Sequence, residues 1–144
     1  MSAPLLDGRP RLLAFVCNWA CYTPAERAEV EQALAGPGDR LVRMPCSGRV
    51  SPEMLLAAVQ EGFAVLVVGC QAASCHYREG SRLARERLET LHRFLAYLGL
   101  EPGRVQLSWR SAGGGRPFRE LVAEARAAAQ EQRAPKRLVR AVER

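Results

Sequence analysis

The sequence predicts a small, open, mainly parallel four-stranded α/β domain with helices on both faces. Three observations predict it. Short apolar runs alternate with helical patterns along the chain. The two strongest runs are continuously apolar, as strands covered on both faces are. The helical patterns are opened and closed by local cap and turn signals. Strands that alternate with helices form parallel sheets through right-handed crossovers. A chain of 144 residues suits one domain, and its 48% apolar and 25% charged composition excludes disordered, collagen-like and coiled-coil chains.

Arg11 to Cys17 is the first apolar run and the first strand. Thr23-Pro24-Ala25-Glu26 then supplies an N-cap, a proline at the first helical position and a glutamate placed to return the capping bond, so a helix follows to about Leu34. Gly36-Pro37-Gly38 stops it, and Arg40 to Met44 forms a short strand ending at Pro45-Cys46. Ser51-Pro52-Glu53 opens a second helix to about Glu61, which Gly62 ends. Ala64 to Cys70, β-branched and bounded by glycines, reads as the central strand.

From Gly80 to Leu98, the residues Ala84, Leu88, Leu91, Leu95 and Leu98 recur at helical steps and make one apolar stripe. Arg104 to Trp109 forms a fourth strand, and a last helix runs from about Pro117 to Gln132. Gly113-Gly114-Gly115 between them reads as a loop, since it lacks the spaced glycines of a dinucleotide fingerprint and the lysine of a P-loop.

Residues 1–132 are therefore expected to be one domain and residues 133–144 a basic tail. That tail holds +4 of the net charge of +6, through Arg133, Lys136, Arg137, Arg140 and Arg144 against Glu143. With no basic face interleaved with aromatics in the body, nucleic acid is not an expected partner. No apolar run reaches the length of a membrane span, and Met1 to Pro10 lacks the apolar core of a secretory signal, so a cytoplasmic location is expected.

The five cysteines, Cys17, Cys21, Cys46, Cys70 and Cys75, all fall in the first 75 residues. In a cytoplasmic chain, metal or redox work suits them better than disulfides do. On the strand reading, Cys17, Cys46 and Cys70 close successive strands while Cys21 and Cys75 lie in the loops that follow, so all five meet at the carboxyl edge of the sheet, where open α/β sheets bind ligands. Core cysteines would scatter instead.

The spacings Cys17-x3-Cys21 and Cys70-x4-Cys75 with a lone Cys46 do not form zinc knuckles, and five sulfurs exceed what a catalytic thiol needs. An iron–sulfur cluster tolerates such spacing, and its negative charge would suit the helix starts after Thr23 and Ser51, with Arg49 and Arg78 nearby. The alternatives are a thiol oxidoreductase using Cys70 and Cys75, and a zinc-stabilised binding module.

Phe15-Val16-Cys17-Asn18-Trp19, Met44-Pro45-Cys46-Ser47-Gly48-Arg49-Val50, Gly69-Cys70-Gln71 and Cys75-His76-Tyr77 resemble the delta subunit of methyl-viologen-reducing hydrogenase, over about Leu12 to Ala128. The resemblance implies a non-catalytic subunit with one [2Fe–2S] cluster. It would relay electrons between a hydrogenase or formate dehydrogenase module and the flavin subunit of a heterodisulfide-reductase-type complex of anaerobic metabolism. Many members read Cys-Cys-Asn-Trp-Cys where this chain has Val16 and Ala20, with Cys21 one residue later. Together with the strand-end positions, the family-like Cys-His-Tyr segment makes Cys17, Cys46, Cys70 and Cys75 the expected ligands and Cys21 the spare, or an alternate for Cys17.

Overall fold

The computed structural model describes residues 10–99, 102–110 and 115–130. Strands β1 (Leu12–Cys17), β2 (Arg40–Met44), β3 (Ala64–Cys70) and β4 (Val105–Arg110) alternate with helices α1 (Pro24–Ala33), α2 (Pro52–Gln60), α3 (Gly80–Tyr97) and α4 (Phe118–Gln130). All neighbouring strands pair in parallel, in the order β2-β1-β3-β4. The expected fold class holds, and the sheet is wholly parallel.

Burial explains the order. Every residue of β3 is buried and nearly every one of β1, so these continuous apolar runs take the two inner places. Arg40-Leu41-Val42-Arg43-Met44 alternates between exposed and part-buried positions, which suits an edge. Leu12, Ala14 and Val16 of β1 point to one face with Leu66 and Val68 of β3, where α1 and α4 cover them through Val30, Leu121 and Val122. Phe15, Val65 and Val67 point to the other face, beneath Leu55 and Val59 of α2 and Leu88, Leu91 and Leu95 of α3. Leu98 of the expected α3 stripe is instead an exposed capping residue, because the helix ends there at Gly99 with φ +72°. Leu66 is 1% exposed, and Leu66→Ala should cost about 2–5 kcal/mol, read as a lower urea midpoint.

Three short 3-10 turns, over Ser47–Arg49, Ala72–Ser74 and Pro102–Arg104, are too brief to leave a periodic signal in the sequence. The first two sit where the chain leaves β2 and β3 for the carboxyl edge. The end expected for the last helix and the basic tail lie outside the described residues, as do most of the triple-glycine loop and the N-terminal segment.

Candidate metal centre

Strand order creates a crevice at the carboxyl edge. After β1 the chain turns to α1 on one face, and after β3 it turns to α3 on the other, so the connections diverge between two adjacent strands. Such a switch point is where open α/β sheets bind ligands. Cys17 and Cys70 are the last residues of these two strands, and their sulfurs lie 3.6 Å apart.

Cys46 and Cys75 form a second pair beside the first. Cys46 caps the Ser47–Arg49 turn, accepting the Gly48 N–H at 3.4 Å. The turn is tied to α3 by Arg87, which donates to the Gly48 and Val50 carbonyls. A Cβ added to Gly80, the first residue of α3, would fall 2.0 Å from the Cys46 sulfur and 3.7 Å from that of Cys75. The Cys46 sulfur therefore occupies the space that the missing side chain of residue 80 leaves, with the Cys75 sulfur close by. Cys75 is the only one of the five thiols that is not buried.

Electrostatics link these four thiols. The Cys70 thiol beside it lowers Cys17 to about 6 against the effect of burial, with help from the Trp19, Ala20 and Ser47 N–H groups. Cys70 moves strongly upward, first through that same hydrogen bond, then through burial and the charges of Cys17, Cys75 and Cys46. Burial pushes Cys46 up, and Cys17 and Cys75 add to it. Burial also pushes Cys75 up, but the N–H groups of Ser81, Tyr77 and Gly80 outweigh it, so its thiol lies below the ordinary value.

Cys21 stands apart. Fully buried, it donates to the Cys17 carbonyl at 3.6 Å. Burial raises it most, and the charge of Cys17 adds to that.

The helix start that faces a sulfur belongs to α3, and not to α1 or α2 as expected. Thr23 and Glu26 close the α1 start with a full capping box, and Ser51 caps α2 by accepting the Met54 N–H. Glu79 makes no such side-chain bond, which leaves the first N–H groups of α3 for Cys75. Arg49 and Arg78 are both exposed. Sequence reasoning missed Gly80, Ser81 and the Gly48 turn. A glycine opening a helix where alanine would serve better was the one available signal.

Aromatic rings join the two loops that flank the crevice. Trp19 of the β1–α1 loop stacks on His76 of the β3–α3 loop at 3.7 Å between centroids, with Tyr22 stacked on the indole at 5.2 Å and Tyr77 edge-on to the imidazole at 4.8 Å. Tyr22 and Tyr77 are 55% and 50% exposed and His76 is exposed as well, so water reaches these rings while half-buried Trp19 anchors the stack that joins the two loops. His76→Ala should cost about 0.5–1.5 kcal/mol in thermal unfolding and relieve any imidazole quenching of Trp19 fluorescence.

Among the described residues, no group of three His, Cys, Asp or Glu side chains is set for a single metal ion. The donors instead form two adjacent pairs of sulfurs with N–H groups around them, one sulfur seated where a side chain on residue 80 would otherwise lie. That is chemistry suited to thiolate ligation of a cluster.

The family model described as methyl-viologen-reducing hydrogenase, delta subunit, matches residues 12–131. The chain belongs to this family. It is 40% identical over 119 residues to the iron-sulfur subunit of the F420-non-reducing hydrogenase of Archaeoglobus profundus, covering 82% of this chain and 87% of that one. It is 37% identical over 110 residues to the vhc iron-sulfur subunit of an F420-non-reducing hydrogenase of Methanococcus voltae, covering 76% of each. A third relative, one chain of the ferredoxin:CoB-CoM heterodisulfide reductase of Methanosarcina mazei, is 34% identical over 116 residues, which are 80% of this chain but 15% of that longer one. The delta-subunit domain thus occurs both by itself, in short chains, and as part of a larger one. Among the described residues, no helix is long and apolar enough to cross a membrane.

Proposed function

We propose that this chain is a non-catalytic electron-transfer subunit that holds one [2Fe–2S] cluster on Cys17, Cys46, Cys70 and Cys75. The observation that carries the reading is the pairing of sulfurs, Cys17 with Cys70 and Cys46 with Cys75, at the edges of one crevice. A two-iron cluster takes four thiolates, two on each iron. The relatives named as iron-sulfur subunits support the cofactor class.

The bound cluster supplies one-electron chemistry, and the residues around it determine how that chemistry is used. N–H groups of Trp19, Ala20 and Ser47 face Cys17, and those of Tyr77, Gly80 and Ser81 face Cys75. Such donors stabilise added negative charge and so raise the reduction potential. The buried apolar ends of β1 and β3 limit water on the inner side. Half-buried Cys75 brings the other side near the surface, where a partner can approach.

The partners proposed are a hydrogenase or formate dehydrogenase module as one and a flavin subunit of a heterodisulfide-reductase-type complex as the other. The names of the relatives support the hydrogenase and heterodisulfide reductase parts of this pairing. A cytoplasmic, anaerobic setting accords with it.

One observation favours a second reading, a dithiol redox site. Cys70 lies against Cys17, whose thiol is lowered to about 6, and that pair would take the role the sequence offered to Cys70 and Cys75. Anaerobic purification followed by iron analysis, visible absorption and electron paramagnetic resonance separates the two readings. The cluster reading expects two irons per chain and a colour that bleaches on reduction. A colourless, iron-free protein that turns over disulfides would support the dithiol instead.

A further inference from the structure

Arg110 ends β4 and is 5% exposed, although it carries a permanent charge. Its Nε–H donates to the Ala20 carbonyl at 3.1 Å, its Nη2 to Glu26 Oε1 at 3.0 Å and its Nη1 to the Arg116 carbonyl, while the guanidinium carbon lies 4.4 Å from the centroid of the Phe118 ring. Glu26 is itself 7% exposed, and its other oxygen accepts from the Thr23 N–H and hydroxyl, both at 3.0 Å. One buried cation therefore ties the end of β4 to the start of α1, the segment before α4 and the turn between Cys17 and Cys21.

The bond to Ala20 reaches the thiol site. Ala20 is fully buried, and its N–H closes the turn by donating to the Cys17 carbonyl at 3.0 Å, so the Arg110 bond holds the far end of the same residue. A buried ion pair is a weak source of stability, since well-packed apolar side chains of similar volume often do as well. Its planar fork, by contrast, fixes several acceptors in direction. We propose that Arg110 is the positioning residue of the thiol site, its buried guanidinium holding the Cys17–Cys21 turn against the sheet edge from a strand that bears no cysteine.

This rests on the cluster reading above, and it adds a residue that touches no sulfur. The turn it holds bears the Trp19 and Ala20 N–H groups that face Cys17. Donors of this kind favour the reduced state, so a loosened turn lowers the reduction potential without removing a ligand.

The test uses the full chain as Arg110→Gln, Arg110→Lys and the double variant Glu26→Gln with Arg110→Gln. The double variant leaves no charge buried alone, so it keeps the test open where the single change fails to fold. In the metal-free protein, hydrogen exchange of the 17–22 amides should quicken by about tenfold or more in Arg110→Gln and in the double variant, with β3 and α3 unchanged and Arg110→Lys affected less. In the iron-loaded protein, the reduction potential should fall and the resonance line shape change while iron per chain stays constant. Equal quickening across the sheet, no quickening at 17–22, or an unchanged potential in the double variant would each overturn the proposal. If the wild type takes up no iron, the cluster reading fails, and the exchange measurement still decides whether Arg110 holds the turn.

Discussion

Gly80→Ala is expected to give a folded chain that holds little iron. Residue 80 is not among those with positive φ, so alanine meets no backbone strain there, and in a helix it would ordinarily gain about 0.5–1 kcal/mol over glycine. Here the new Cβ falls 2.0 Å from the Cys46 sulfur, an overlap that forces the thiol or the helix start to move. Overpacking of this kind costs about 1–3 kcal/mol. Rotating Cys46 out of that space is the cheaper relief, because Gly48, which lies against Gly80 so closely that a Cβ on it would sit 2.9 Å from the Gly80 Cα, leaves the backbone no room to shift. Iron per chain should fall about tenfold or more, while the metal-free melting temperature moves by only a few degrees. Wild-type iron content in this variant would show that the Cys46 sulfur is not a ligand.

Serine in place of Cys17, Cys46, Cys70 or Cys75 should each remove most of the iron and the visible absorption, whereas Cys21→Ser should keep both. A group bound at about a thousand times its dissociation constant stabilises the folded state by about 4 kcal/mol, so losing the cluster should lower the melting temperature of a chain this size by about 15 °C. Serine at position 21 can still donate to the Cys17 carbonyl, as the thiol does at 3.6 Å, and should change stability by about 1 kcal/mol. The check is iron, absorbance and melting across the five variants, prepared without oxygen. Loss of the cluster in Cys21→Ser with retention in Cys17→Ser would invert the assignment.

Much of the fold could be read residue by residue because its signals are local. The Thr23–Glu26 capping box forms as its spacing implied, and the prolines at Pro24 and Pro52 open α1 and α2. The unbroken apolar character of Ala64–Cys70 made it an inner strand, and the edges of all four strands agree with the sequence to within a residue or so. Where local signals conflicted with tertiary contacts, the contacts decided. The Thr23 and Ser51 starts, which looked apt for a negative ligand, satisfy their own N–H groups, and the uncapped α3 start serves Cys75 in their place.

By itself, the sequence determined the α/β class, the placing of five thiols at the carboxyl ends of strands and the loops after them, and, through contiguous motifs around Cys17, Cys46, Cys70 and Cys75, the family. These follow from neighbours a few residues apart, where periodicity, caps and turn residues act. Only the tertiary structure decided that the order is β2-β1-β3-β4, which puts Cys17 and Cys70, 53 residues apart in the chain, within 3.6 Å of each other. It also decided that Gly80 makes room for Cys46 and Cys75, and that Arg110 reaches across 90 residues to Ala20. The physical reason is that strand pairing and buried hydrogen bonds depend on distant segments competing for the same few places beside an apolar sheet. No local pattern along the chain records which of them wins.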